Sequence, residues 1–299
     1  MLNPMATRGF RRAGAALAAG AALLLADQPA QAQRGMGVDV ALVLAVDVSS
    51  SMDLGEQEIQ RKGYSDAFRH PSLVNAIRSG PNGRIAVTYL EWAEQANQTV
   101  GWTIIANAAD AKAFADKLDA APIYSARRTS ISTAIAGAVA LFDESGVVSQ
   151  RRVIDVSGDG ANNSGAPVEG ARDEALAKGV IINGLPIMLE RGESWFDVPY
   201  LDAYYKDCVI GGPGSFSLPV KSITELQNTI RAKLVSEVAG LQPLRNEDMF
   251  QRAQARVKPP KTNCLIGEQR RGGGGGGNFQ GFGNPPPISP IPQSGPSGN

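Results

Sequence analysis

Short apolar segments, rich in β-branched residues, alternate with helical segments along the middle of the chain, and they constrain its fold more than any other feature. The apolar segments lie at residues 38–46, 84–92, 151–157 and 180–188. Runs of this length are typical of strands buried on both faces. Segments with apolar residues at helical spacing begin after Met52, at residue 107, near Ile131, at Pro167 and after Ser222. Strands that alternate with helices predict a Rossmann-like α/β fold, with an open, mostly parallel sheet and helices on both faces.

Local signals mark some helix ends. Gly179 follows the helical segment at residues 167–178, as expected for a C-terminal stop. Ser222 with Glu225 predicts a capping box at the start of the last helical segment. Asp53 with Glu56 predicts a second capping pattern, before the first helix.

The first 32 residues have the composition of a secretory signal peptide. A basic region precedes an apolar stretch at residues 13–26, and Ala30-Gln31-Ala32 is a small-x-small cleavage signal. The apolar stretch is too short for a membrane anchor, so we expect no transmembrane segment in the mature chain. Arg11 and Arg12 leave a twin-arginine signal as an alternative. We therefore expect cleavage after Ala32 and a periplasmic or secreted protein.

The remaining chain divides into one domain, at residues 37–240, and a tail, at residues 241–299. The tail contains six consecutive glycines at residues 272–277 and a proline-rich stretch, so we expect it to be disordered. Removal of residues 1–32 takes three arginines and one aspartate from a chain of formal net charge zero, which leaves a charge of −2. This balance predicts no general affinity for nucleic acid.

Cys208 and Cys264 are the two cysteines of the chain. In an exported protein they would reach an oxidising compartment, where a disulfide between them is expected. Two free thiols remain the alternative.

The first predicted strand runs into the polar sequence Asp47-Val-Ser-Ser-Ser51. Alternate positions of an extended segment project to the same side, so Asp47, Ser49 and Ser51 can direct three oxygens towards one point. In open α/β sheets, sites form at the carboxyl ends of the strands. However, serine and aspartate are also preferred helix caps, so this motif alone leaves both interpretations open.

Two further segments bear on that choice. Asp159, followed by Gly160, lies at the end of the third predicted strand, and Thr129 lies at the start of a helix. Taken singly, Asp159-Gly160 could be a turn and Thr129 could be an N-cap.

Asp47-x-Ser49-x-Ser51, Thr129 at a helix start and Asp159-Gly160 at a strand end, in this order, resemble the metal-ion-dependent adhesion site of von Willebrand factor type A domains. The resemblance is closest to a bacterial family of uncharacterised exported proteins with such a domain. It covers roughly residues 38–240 and is carried by the segments LVLAVDVSSSM, GRIAVTYLEWA, RRVIDVSGDGANN, INGLPIM and DAYYKDCVIGGPGSF.

The resemblance implies that Ser49 and Ser51 bind the ion through their hydroxyls and that Thr129 joins directly or through water. Asp47 and Asp159 would act mainly through bridging water. Oxygen ligands without Cys or His favour Mg²⁺, with Mn²⁺ or Ca²⁺ as alternatives, over zinc.

These features predict a non-enzymatic, adhesion-type module that captures an Asp or Glu of an unidentified partner protein at the metal. No catalytic residue is assigned. A metal-dependent hydrolase and a metal-free scaffold are the alternatives. The chain has a single histidine, His70, and lacks a G-x-S-x-G motif and a P-loop, which argues against the usual hydrolase chemistry. Many such domains have a glycine just before the threonine, whereas this chain has Arg127 and Arg128, which could attract an acidic partner or simply be solvated.

Overall fold

A five-stranded, mostly parallel sheet forms the centre of the fold in the computed structural model, which describes residues 35–189, 198, 200–241 and 262–272. The described strands are β1 (Met36–Val38), β2 (Ala41–Asp47), β3 (Ile85–Trp92), β4 (Ala96–Ile105), β5 (Val147–Ser149), β6 (Arg152–Gly158) and β7 (Val180–Pro186). The sheet has the order β4-β3-β2-β6-β7, in which β4 is antiparallel to β3 and the other neighbours are parallel. β1 pairs with β5 in a separate parallel ribbon. The predicted α/β fold is therefore confirmed.

Helices cover both faces of the sheet. The described helices are α1 (Leu54–Arg69), α2 (Pro71–Arg78), α3 (Ala108–Ala120), α4 (Ile131–Glu144), α5 (Val168–Ala177), α6 (Leu201–Tyr204), α7 (Ile223–Ala239) and α8 (Ile266–Gly272). A π-helical turn, Tyr205–Val209, continues α6. The apolar residues of α1, α2, α3 and α7 join one core cluster, and those of α4, α5 and α6 join the other.

The alternation of side chains in β2 explains why the core has two halves. Every residue of β2 is buried. Leu42 and Leu44 pack in the cluster that contains α1 and α7, whereas Val43 and Ala45 pack in the cluster that contains α4. A central strand with helices on both faces needs apolar residues at consecutive positions, which is the pattern seen in the sequence.

Two strand predictions need correction. Residues 38–46, predicted as one strand, are divided between β1 and β2. At the break, the carboxylate of Asp39 accepts hydrogen bonds from the backbone N–H groups of Asn82 (2.8 Å) and Arg84 (3.3 Å). β4 was not predicted, because most of its residues are polar or partly exposed and give no apolar run.

The helix signals had different outcomes. Gly179 adopts a left-handed backbone conformation (φ +72°) just after α5, which confirms the predicted stop. Asp53 and Glu56 form a complete capping box at the start of α1. Ser222 caps α7, but the predicted box is wrong, because its hydroxyl accepts from the N–H of Thr224 (3.3 Å) rather than from that of Glu225.

A buried charged cluster joins α7 to the sheet. Lys233 on α7 is fully buried and forms ion pairs with Asp155 on β6 and with Glu237 one helical turn later. The side-chain amide of Asn183 on β7 also donates to Glu237 (3.0 Å). Burial, followed by repulsion from Asp155, raises the pKa of Glu237 to about 7. The lysine is therefore the positive charge that compensates two buried carboxyl groups.

Part of the predicted tail is ordered. Residues 262–272 fall within the segment 241–299 that was expected to be disordered, yet they contain α8 and Cys264. The predicted signal peptide, at residues 1–32, and tail residues 242–261 and 273–299 lie outside the described residues. Among the residues that are described, no helix has the length and apolar character needed to cross a membrane.

Candidate metal site at the carboxyl edge of the sheet

Four of the five predicted ligands form one hydrogen-bonded chain. Asp47 ends β2, and its Oδ1 accepts from the backbone N–H of Ser49 (2.7 Å). The hydroxyl oxygens of Ser49 and Ser51 are 2.8 Å apart, and the Ser51 hydroxyl donates to Oδ1 of Asp159 (2.6 Å). Asp159 follows β6, the neighbour of β2 in the sheet. The chain path diverges between these two strands, which is where open α/β sheets bind ligands.

Thr129, the fifth predicted ligand, borders the same cavity as Ser49, Ser51 and Asp159. The cavity has a volume of about 580 Å³. Thr129 is buried, and its backbone exchanges two hydrogen bonds with Asn163, one to the amide oxygen (3.0 Å) and one from the N–H (2.8 Å). The loop after β6 therefore holds Thr129 beside the serine loop, which comprises residues 48–52 after β2.

The three hydroxyl residues do not cap the helices that follow them. Asp53 caps α1, and Ser130 caps α4 by accepting from the N–H of Thr133 (3.3 Å). The interpretation of Thr129 as an N-cap is therefore wrong, because the cap is the next residue. Capping gives no reason for Ser49 and Ser51 to face this cavity.

The surroundings of Asp47 disfavour ionisation of its carboxyl group. It is fully buried, and burial, followed by repulsion from Asp159, raises its pKa to about 8. Its Oδ2 has no hydrogen-bond donor within the described part of the chain. A divalent cation near these carboxyl groups would supply the missing positive charge, so this donor set fits one.

The backbone of β6 leaves room for this carboxylate. A Cβ atom added at Gly158 would lie 2.7 Å from Oδ2 of Asp47 and 3.0 Å from the hydroxyl oxygen of Tyr205. Tyr205 is itself buried, which raises its pKa well above the usual value. A residue with a side chain at position 158 would therefore displace Asp47 or Tyr205.

Comparison with known proteins identifies the family. A family model described as protein of unknown function (DUF1194) matches residues 37–242. The chain belongs to this family. No curated protein matches it.

Solved structures similar to this DUF1194 chain are von Willebrand factor A folds. Proximal thread matrix protein 1 from the mussel byssus has a TM-score of 0.50 and 13% identity, over 69% of this chain and 48% of that one. Another structure of the same protein, with a zinc-occupied MIDAS motif, gives 0.48 and 17%, over 69% and 49%. A von Willebrand factor type A protein from Catenulispora acidiphila gives 0.49 and 12%, over 68% and 43%. The chain spans about half the length of these proteins or less, and the likeness shows the fold alone.

Three amides around the site of the DUF1194 domain were not predicted. The side chain of Gln57 donates to the carbonyls of Ser49 (3.3 Å) and Met52 (3.1 Å), which holds the serine loop against α1. Asn162 accepts from the N–H of Ser132 (3.0 Å), and Asn163 accepts from Thr129 as described above. The segment GDGANN contains both asparagines, but their partners are remote in sequence and gave no local signal.

Arg128 occupies the position before Thr129 at which many such domains have a glycine. Its backbone is left-handed (φ +70°), which is the conformation that glycine adopts most easily. Its side chain borders the cavity and forms an ion pair with Glu94, on the turn between β3 and β4. The arginine therefore occupies a glycine-like backbone position and is paired rather than solvated alone.

Cys208 and Cys264 form a disulfide that brings α8 to the cavity. Gly267, Arg270 and Arg271 of this segment line it, as do Ser49 and Ser51. The described residues contain no group of three His, Cys, Asp or Glu side chains arranged to hold a metal. Any ion at this site would therefore depend on the hydroxyls as well as on the two carboxylates.

Proposed function

We propose that this domain is an exported, metal-dependent protein-binding module. The hydroxyls of Ser49, Ser51 and Thr129 hold a divalent cation, and the carboxylates of Asp47 and Asp159 stabilise it, mainly through water. Mg²⁺ is the first candidate and Mn²⁺ or Ca²⁺ are alternatives, because hard cations prefer oxygen donors. The observation that carries the proposal is the hydrogen-bonded chain from Asp47 to Asp159 beside one cavity.

The ligand set determines what the module can bind. When bound, the cation supplies a positive centre that attracts a carboxylate from outside. Serine and threonine hydroxyls are neutral, so they fix the position of the ion without cancelling its charge. Gln57 and Asn163 hold the two loops that carry these hydroxyls. The partner is therefore a protein that presents an Asp or Glu at the cavity mouth.

Metal titration with single-hydroxyl variants tests the site. Ser49→Ala and Ser51→Ala should weaken Mg²⁺ or Mn²⁺ binding by about 10-fold or more in calorimetry, because each removes a ligand. Ser50→Ala is the matched control: Ser50 is exposed and lies between the two ligands, and its variant should keep the affinity within about 2-fold. Unchanged binding in both ligand variants would contradict the proposal.

Partner capture tests the function of the site. Binding of a partner from an extract should require Mg²⁺, should stop when a chelator is added, and should be lost in Ser51→Ala but not in Ser50→Ala. Capture that is indifferent to metal would favour the metal-free scaffold.

The hydrolase alternative has less support. His70 is engaged far from the cavity, where it caps α2 and its Nδ1 accepts from the N–H of Ser72 (3.2 Å). Metal-activated water would then have to act without a histidine. Turnover of a generic phosphate ester that disappears in Asp159→Ala would replace the binding proposal by this one.

Export is part of the proposal. The composition of residues 1–32 supports it, and so does the disulfide, because such bonds persist in oxidising compartments. Mass spectrometry of the protein from the periplasm or medium should show a mature chain that begins at Gln33. A chain that retains residues 1–32 inside the cell would contradict it.

A further inference from the structure

Several independent contacts attach the segment at residues 262–272 to the wall of the cavity. Cys264 is bonded to Cys208, which follows α6. Glu268 accepts from the side-chain amide of Asn162 (2.7 Å), and the guanidinium of Arg271 donates to the carbonyl of Asn163 (3.0 Å). The two asparagines belong to the loop that starts at Asp159. The segment is therefore fastened to the same loop that carries a predicted metal ligand.

Gly267 shows how closely α8 packs on this loop. It is buried, and a Cβ atom added there would clash with the backbone carbonyl of Asn162. Only a residue without a side chain permits this approach. The close contact places the next turn of α8, with Arg270 and Arg271, on the wall of the cavity.

The cavity is thus lined by two chemically different groups. Ser49, Ser51 and Asp159 supply oxygen donors for the cation, and Arg270 and Arg271 supply positive charge. The carboxylate of α8 itself, Glu268, is bonded to Asn162 and does not border the cavity. A guanidinium has five N–H donors, so the contact of Arg271 with one carbonyl leaves donors for a second acceptor. Arginine binds carboxylates through such paired donors.

We propose that α8 is a second anion-binding element of this cavity, so that the recognised ligand carries two acidic groups. One carboxylate is directed to the cation and the other to Arg270 and Arg271. The inference rests on the proposed function and narrows its partner to an acidic segment with two nearby Asp or Glu residues, or with one of them at a chain end.

Small carboxylic acids test this directly. The probes are the dicarboxylates from succinate to pimelate, each paired with the monocarboxylate of equal carbon number. Broadening of their proton resonances by the Mn²⁺-loaded protein reports weak binding. At least one dicarboxylate should bind about 3- to 10-fold more tightly than its monocarboxylate, as expected for a partly exposed contact with arginine.

Substitution of the arginines should remove that preference. In Arg270→Gln/Arg271→Gln, the dicarboxylate should bind no better than the monocarboxylate, whereas affinities for Mn²⁺ and for the monocarboxylate should stay unchanged. Arg78→Gln/Arg231→Gln removes the same charge at sites that do not line the cavity, and it should keep the preference. Gly267→Ala should displace α8 and lose the preference with both arginines present.

The outcomes separate the two proposals. Failure of the wild-type protein to bind Mg²⁺, Mn²⁺ or Ca²⁺ overturns the proposed function itself. Binding of Mn²⁺ and of the monocarboxylates, without any preference for a dicarboxylate, overturns only the inference about α8. A preference that survives in Arg270→Gln/Arg271→Gln also overturns it.

Discussion

Only one of the two carboxyl oxygens of Asp47 accepts a hydrogen bond from the described residues. Oδ1 accepts from Ser49, whereas Oδ2 is buried beside Gly158 and Tyr205 without a donor in the described residues. A residue that only completed a strand would gain nothing from this arrangement, because an unsatisfied buried acceptor costs about 1–3 kcal/mol. The position of Asp47 at the end of β2 is consistent with a role in holding a cation.

The metal-free protein should lose stability as the pH rises from about 4 to about 8. Asp47 has an unfolded pKa of about 4 and a folded pKa of about 8, so within this window the folded state holds a proton that the unfolded state has lost. In chelator, the free energy of unfolding from urea titrations should fall by roughly 1–3 kcal/mol between pH 5 and pH 8. Asp47→Asn should show a smaller fall. The shifted Glu237 contributes to both proteins, so an identical fall in the variant would contradict the assignment.

Among the residues of the candidate site, the sequence predicted those that lie close together along the chain. Asp47, Ser49 and Ser51 lie within one short stretch of chain, so their proximity needs no tertiary contact. The extended geometry that we expected ends at Ser49, because Ser50 and Ser51 form a turn. Gln57 and Asn162 could not be found in this way. Their amides bond to backbone groups of other segments, and only the tertiary fold brings these groups within reach.

Between elements, the contact of α7 with the sheet is unusual because a lysine lies where an apolar residue would be expected. Lys233 is fully buried between Asp155 and Glu237. Removal of one member of a buried ion cluster leaves charge that is neither solvated nor paired, which costs more than the loss of an exposed pair. The cluster therefore holds α7 in one register against β6.

Lys233→Met should lower the free energy of unfolding by about 3–5 kcal/mol, because two buried carboxyl groups lose their counter-ion. Lys62→Met is the matched control: Lys62 also pairs with an acid four residues later, Asp66, but its side chain is 59% exposed. That variant should change stability by less than about 1 kcal/mol. Urea titration at pH 7 measures both. Similar losses in the two variants would show that burial is not the cause.

The elements that the sequence predicted are those with a strong apolar period. β2, β3 and β6 lie inside the sheet, and β7 is an edge strand that also forms isolated bridges to Gly211 and Ser217; the apolar runs of all four identify them. β4 is an edge strand with polar residues such as Asn97 and Gln98, and it gives no such run. α8 has a short, charged sequence whose order depends on a disulfide to a remote cysteine, so composition indicated disorder instead.

In the molecule as a whole, the disulfide joins the sheet domain to α8, and these two parts are stabilised by different contacts. Cys208 lies in the second core cluster, next to the sheet. Cys264 is followed by α8, which is held by Asn162, Asn163 and the bond itself. The sheet and its helices share two large apolar clusters, whereas α8 contributes only Ile266 to one of them besides its polar contacts. The two parts should therefore differ in their dependence on the bond.

Reduction of the disulfide should release α8 while the sheet remains folded. Amide hydrogen exchange at residues 266–272 should accelerate by about 10-fold or more, and exchange in β2 should stay unchanged. Cys208→Ala/Cys264→Ala should behave like the reduced protein without any reductant. Equal acceleration in α8 and β2 would mean that the bond stabilises the entire domain.

The order of the two cysteines in the chain has a consequence for biosynthesis. Residues 35–241, with every described strand and all three segments that carry predicted ligands, leave the ribosome before Cys264 does. The domain can thus reach its final topology while one side of the cavity is still open. The bond between Cys208 and Cys264 can form only once Cys264 is present, so α8 cannot be fixed beside the cavity before the segments that carry the predicted ligands have been synthesised.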